Sequence, residues 1–177
     1  LTISGNFATT LTVGGVTALT LPASGTLATL AGTEVLSGKT LTTPIIGVAT
    51  GTSLAVTGLL SSSGTAGIGY ATGAGGTIAQ GVSKATTVVL NKTSGAITMD
   101  ATSLAAGAIV SFTLTNSTIA ATDVLILNHI SGGTVGSYTL NAQAGAGAAT
   151  INVRNNTAGA LAEAVVIQFA VIKAVSS

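Results

Sequence analysis

The chain has 177 residues, enough for one ordinary domain or for one domain with an extension. Only 5% of its residues are charged and 3% aromatic, Cys and Trp are absent, and the net charge is +1. These values exclude an electrostatic footprint for nucleic acid, disulfide staples and thiolate metal sites. Mean hydropathy is +0.75, yet no uninterrupted apolar run reaches the ~18 residues of a spanning helix, and the few aromatics cannot build the girdles of a membrane barrel. No membrane insertion is therefore expected. High Thr and Val with few Glu, Lys and Arg favour strands over helices. The 24 glycines spread along the chain imply many turns.

Residues 1–65 read as repetitive, extended β chain. A phrase recurs every ten residues, at Leu1–Gly5, Leu11–Gly15 and Leu21–Gly25, with a fourth copy, Leu54–Gly58, out of phase. Each copy alternates apolar with small or polar residues and turns at glycine. Such repeats cannot bury a single apolar stripe alone. Ordering backbone costs ~1–2 kcal/mol per residue, and a thin strip with one Phe has too little to bury against that cost. Three chains wound about one axis would share the stripe, which places Leu11 and Leu21 at a subunit interface. Pro22 and Pro44 stand where ladder hydrogen bonds are least needed. The chain begins with Leu1 and shows no basic segment followed by an apolar one, so a fragment or processed product without a signal peptide is expected.

Residues 66–83, continuing the Ser61–Gly64 cluster, read as a Gly/Ser-rich junction. From Lys84 the pattern tightens into predicted strands over Thr86–Leu90, Ala96–Met99, Ile109–Asn116, Val124–Ile130, Tyr138–Ala142, Thr150–Arg154 and Val165–Lys173. Turn-rich pieces separate them, so residues 84–177 read as a β-sandwich of jelly-roll type. Val110, Phe112 and Leu114 alternate onto one face, as do Val165, Ile167, Phe169 and Val171. The other face of the last strand carries Val166, Ala170 and Ile172, which marks them as candidates for a subunit interface. Candidate contact loops are Ser131–Val135, with Gly132, Gly133 and Thr134, then Gly145–Ala149, and Asn155–Gly159, with Asn155 and Asn156.

Catalytic patterns are looked for and not found. Gly32–Thr40 superficially suggests a phosphate loop, but five residues separate its glycines where four are needed. Pro44 blocks the helix that should follow. The glycine-rich Gly67–Gly76 run precedes no helix and does not fit a dinucleotide fingerprint. His129 is the only histidine, and no motif pairs it with a second titratable group. Near a strand end it is expected to point outward or to touch a neighbouring subunit. Glu34, Asp100, Asp123 and Glu163 are too dispersed for a glycosidase pair, and Asp100 and Asp123 are expected to cap turns. Asn91–Thr93, Asn116–Thr118 and Asn155–Thr157 match the glycosylation pattern, as chance predicts in a Thr-rich chain. A non-enzymatic structural protein without cofactor or metal follows.

Leu19–Gly32, followed by Glu34 and Leu36–Pro44, resembles the shaft phrasing of bacteriophage fibre proteins. Gly67–Gly76 through Phe169–Lys173 resembles the terminal knob of phage structural proteins. The resemblance implies a homotrimer on the virion surface, with a β-rich shaft and a distal β-sandwich knob. Its partners would be a capsid or tail protein at the N-terminal end and a host-surface glycan or protein at the knob. A capsid decoration or head-fibre protein with a purely architectural role is the first alternative. A Thr-rich carbohydrate- or ice-binding module is the second, disfavoured because Thr-x-Thr spacing is irregular and Tyr70 and Tyr138 are the only tyrosines.

Overall fold

The computed structural model describes residues 56–65 and 67–175. The repeats before Val56, with Leu11 and Leu21, lie outside the described residues. Within them the chain is all-β, with no helix. Eight strands follow in order: β1 (Thr77–Ala79), β2 (Val88–Val89), β3 (Ser94–Thr98), β4 (Ile109–Thr115), β5 (Val124–Ser131), β6 (Tyr138–Gly145), β7 (Ala148–Asn155) and β8 (Val166–Ile172). All seven strands expected from the alternation are present. The additional strand, β1, lies in the stretch read as a junction.

The strands form two four-stranded sheets, sheet A in the order β1-β3-β8-β5 and sheet B in the order β2-β4-β7-β6. Only β6 and β7 are consecutive strands of one sheet, joined by the two-residue turn Ala146–Gly147. Every other connection crosses between the sheets. The pairs β1–β3 and β2–β4 are parallel and the rest antiparallel. This mixed pattern departs from the expected all-antiparallel jelly roll. A crossing connection delivers each short strand beside a partner running the same way. β5 lies against β6 at one side of the two sheets.

The core is made where the period-2 pattern points inward. From β8 and the residue before it, Val165, Ile167, Phe169 and Val171 are fully buried against Phe112 and Leu114 of β4 and Ile151 and Val153 of β7. Each such side chain contributes roughly 1.5–3 kcal/mol relative to exposure. Gly95 lies in β3 beside Phe169. A Cβ there would stand 2.7 Å from the Gly76 carbonyl oxygen and from Leu90 Cδ2, and 3.1 Å from the Phe169 ring, so only glycine lets the backbone of Gly76 approach this closely.

Three strands end on the same local device. Asn116, just after β4, accepts hydrogen bonds through Oδ1 from the backbone N–H and hydroxyl of Thr118 at 3.0 and 2.8 Å. Asn155, the last residue of β7, does the same with Thr157 at 2.9 and 2.7 Å. Asp100, after β3, accepts from the N–H of Thr102 at 2.7 Å and from its hydroxyl. An Asx side chain that bonds two residues ahead imitates a turn and stops the ladder. The Asn-x-Thr matches at Asn116 and Asn155 are therefore turns, and both amides are fully buried. Asp123 likewise closes the turn into β5 by accepting from the Ala120 N–H at 2.7 Å.

Lys84 is a buried peg. Its ammonium donates to the carbonyls of Asp100 and Glu163. Gln80 completes the plug, donating to the carbonyls of Lys84 and Thr86 and accepting from the Asp100 N–H. Burial pushes the Lys84 pKa down, partly opposed by the charges of Asp100 and Glu163.

Candidate functional site

Two regions can meet another molecule: a cluster of loops at one end of the strands, and the outer face of sheet A.

The loop cluster gathers where β5 ends, β6 begins and β7 ends. Tyr138 and Asn155 are register partners there, and Asn156 donates its N–H to the Ser137 carbonyl at 2.9 Å. Ser131–Val135 and Asn155–Gly159 thus share one end. Gly145–Ala149 is the β6–β7 turn and sits at the opposite end of the same strands, so the three expected contact loops do not form one surface. Asn155 does not offer a contact either. Its amide donates to the carbonyls of Leu104, Ala105 and Gly159 at 3.0, 3.1 and 2.8 Å, and no part of it is exposed. Asn156 is exposed and donates to the Thr139 hydroxyl at 2.8 Å.

The Gly132–Ser137 loop is held by one carboxylate. Glu163 accepts from the Thr134 N–H at 2.9 Å, the Thr134 hydroxyl at 2.6 Å and the Tyr138 hydroxyl at 2.7 Å. These bonds hold its carboxyl below the usual carboxylate range, the Thr134 hydroxyl contributing most. Burial and the adjacent carboxylate push the Tyr138 phenol well up. Gly132 has φ +63°, and a Cβ there would stand 2.1 Å from the Ala164 carbonyl oxygen, so only glycine fits. The clasp leaves Val135 at the loop tip, 91% exposed.

His129 faces inward rather than outward. On β5 it shares the inner parity of Leu125 and Leu127. Its ring meets Tyr138 edge-on, with centroids 5.9 Å apart, and Nε2 bonds the Gly132 carbonyl. The position follows from strand parity, which a place near the strand end does not reveal. Among the described residues no three His, Asp or Glu side chains converge as a metal-binding group.

The two sheets differ in the balance of chemistry they present outward. Sheet B shows Thr113, Ser111, Thr150, Asn152, Arg154, Thr139, Asn141 and Gln143, with the aliphatic Val89 and Ile109 at its margin. The Ser111 hydroxyl donates to Asn152 Oδ1 at 2.6 Å, and Asn152 Nδ2 donates to Asn141 Oδ1 at 2.6 Å, forming a polar ladder across three strands. Sheet A shows no charged side chain on its outer face. β8 contributes Val166, Ala170 and Ile172 there, as expected. β5 adds Val124, Ile126 and Ile130, and these three with Ile172 are about half exposed. Val124 pairs with Ile172 and Ile126 with Ala170, so these four form one apolar patch, and the outward pair Asn128–Gln168 separates it from Ile130 and Val166. Sequence reasoning found the β8 half and missed the β5 half. The signal was present in the unbroken apolar run Val124–Leu127, which fits a strand with apolar residues on both faces.

Compared with known proteins, the chain matches no family model, no curated protein and no solved structure at a significant level.

Proposed function

We propose that the chain is a structural, non-enzymatic component of a bacteriophage virion, a homotrimeric fibre or spike. Its N-terminal region joins a capsid or tail protein. Its described part is a distal knob that aids adhesion to a host-surface glycan or protein. The observation that carries the self-assembly is the outer face of sheet A: without charge, with the contiguous apolar group Val124, Ile126, Ala170 and Ile172 and, beyond the polar pair Asn128–Gln168, Ile130 and Val166. A contiguous apolar patch of this kind on a soluble particle marks a protein contact. The phage context rests on the shaft and knob phrasing of the sequence. Adhesion draws on the clasped Gly132–Ser137 loop with Val135 at its tip, since weak contacts repeated in three copies sum to firm attachment.

Native mass measurement or sedimentation tests the reading. The full chain is expected to run as three copies at micromolar concentration. Ile126→Asp with Ile172→Asp, which places two carboxylates in each copy of the patch, is expected to yield folded monomers. A wild-type chain that stays monomeric at the highest soluble concentration overturns the proposal.

A further inference from the structure

The outer face of sheet A is small. Its strands are 3, 5, 7 and 8 residues long and, at about 4.8 Å apart and about 3.3 Å per residue, cover on the order of 400 Å². A stable interface takes roughly 800 Å² from each partner. Sheet-to-sheet contact alone therefore falls short, and a further element has to join it.

The chain carries such an element next to this face. Ile68 and Tyr70 lie over sheet A, and the Tyr70 hydroxyl donates to the Val171 carbonyl. Between them and Ile126, Ala170 and Ile172 remains an open cleft of about 500 Å³, with Lys173 at its border. The segment before them carries Val56, Leu59 and Leu60, which are 45%, 88% and 56% exposed. An uncharged, Ser- and Gly-rich stretch beginning at Ser61 joins this arm to Ile68. Among the described residues, the apolar cleft stands open and the apolar arm stands exposed.

We infer that Leu59 and Leu60 of one copy seat in the Ile68–Tyr70/Ile126–Ile172 cleft of the next. This deepens, and rests on, the self-assembly proposed above. The arm and the cleft are different surfaces, so the contact is head-to-tail. A head-to-tail contact closes into a ring when its rotation permits, and three copies then leave no arm free and no cleft empty. The arm supplies the area that the flat face lacks.

The chain contains no cysteine, which makes disulfide trapping direct. A Leu60→Cys chain and an Ile126→Cys chain, tagged to different lengths, are co-expressed, oxidised mildly and run on a non-reducing gel, with native mass measured on the same sample. The expected result is a mixed-length disulfide dimer, absent when Ile126→Cys is replaced by Thr113→Cys on the outer face of sheet B. An oligomeric sample with no mixed dimer above that control overturns the seat and leaves self-assembly standing. A monomeric sample from wild-type chain overturns both. A chain carrying both cysteines that closes its disulfide within itself shows the arm folding back, which also overturns the inference. As a second readout without cysteine, Leu59→Ser with Leu60→Ser is expected to raise the protomer concentration of half-assembly at least tenfold. An unchanged midpoint overturns the seat.

Discussion

Replacing Asn155 tests the claim that this polar residue is a structural rivet of the β7 end. In Asn155→Ala the side chain loses its donors to Leu104, Ala105 and Gly159 and its acceptor for the N–H and hydroxyl of Thr157. The three carbonyls keep other partners: the Leu161 N–H, the Ala108 N–H and the Thr157 hydroxyl. The loss is therefore that of about three effective hydrogen bonds at ~1 kcal/mol each, without three stranded acceptors, or about 3 kcal/mol. For the described part, about 0.25 kcal/mol per kelvin of unfolding entropy converts this to a fall of about 12 °C in Tm. Asn155→Asp separates donor loss from volume loss. It keeps the acceptor but turns carboxylate oxygen toward three carbonyls, costing roughly 3–5 kcal/mol at neutral pH. A carboxyl so placed has a folded pKa raised above the ordinary one. Its deficit is thus smallest below about pH 4 and grows as pH rises through the raised value. Thermal melts at one fixed protomer concentration measure both, because assembly makes Tm depend on concentration. Asn156→Ala, at the exposed neighbour, is expected within ~0.5 kcal/mol of wild type. If Asn155→Ala melts within about 3 °C of wild type, the assignment of Asn155 as a structural residue is wrong.

Two further substitutions probe the turn before β5 and the clasped loop. The Ala120 N–H first, then Lys173, hold the Asp123 carboxyl below the ordinary carboxylate range. Its stabilising contribution is therefore present above about pH 4 and lost as pH falls through the lowered folded value. In chemical denaturation, Asp123→Asn is expected to differ most from wild type near neutrality, with the gap closing toward strongly acid pH; a gap independent of pH refutes the assignment. Gly132→Ala places a Cβ 2.1 Å from the Ala164 carbonyl oxygen at φ +63°. It is expected to cost well over the ~1–2 kcal/mol of left-handed strain alone, whereas Gly136→Ala, at φ +79° in open space, should cost about that strain and no more. Equal denaturation midpoints for the two variants would show that the loop moves freely.

The parts of this structure legible in the sequence are those fixed by local alternation. Val110, Phe112 and Leu114, and Val165 through Val171, read as buried rows because a strand shows every second residue to the core. The β6–β7 turn and the capping roles of Asp100 and Asp123 were legible for the same reason, since each is closed within a few residues. What was not legible depends on distant partners. Thr77–Ala79 is three residues between glycine-rich stretches and becomes a strand only by parallel pairing to Ala96–Thr98. Asn155 reads as a loop amide until Leu104 and Ala105, some fifty residues earlier in the chain, supply carbonyls to it. Nothing local to Lys84 marks it as buried, since the carbonyls of Asp100 and Glu163 that enclose it lie 16 and 79 residues further along the chain. The separation of Gly145–Ala149 from the other loops is topological, and no loop sequence encodes it.

The contrast between the two outer faces follows only in small part from where the few charges stand. The described residues contain seven charged side chains: Lys84, Lys92, Asp100, Asp123, Arg154, Glu163 and Lys173. Six of them bond the backbone. Lys84 holds two carbonyls, Lys92 the Gly73 carbonyl and Lys173 the Thr118 carbonyl. Asp100, Asp123 and Glu163 accept from the N–H groups of Thr102, Ala120 and Thr134. Among the described residues charge fastens turns and loops, and Arg154 alone stands on a sheet face, that of sheet B. A monomer that kept itself apart by surface charge would place its carboxylates and amines on exposed strands, as edge and surface strands commonly do. Here β5, a long edge strand, bears no charge outward but Val124, Ile126 and Ile130, with Asn128 between the last two. Sheet A thus differs from sheet B less in charge, where Arg154 is the one difference, than in the aliphatic group Val124, Ile126, Ala170 and Ile172 that it turns outward.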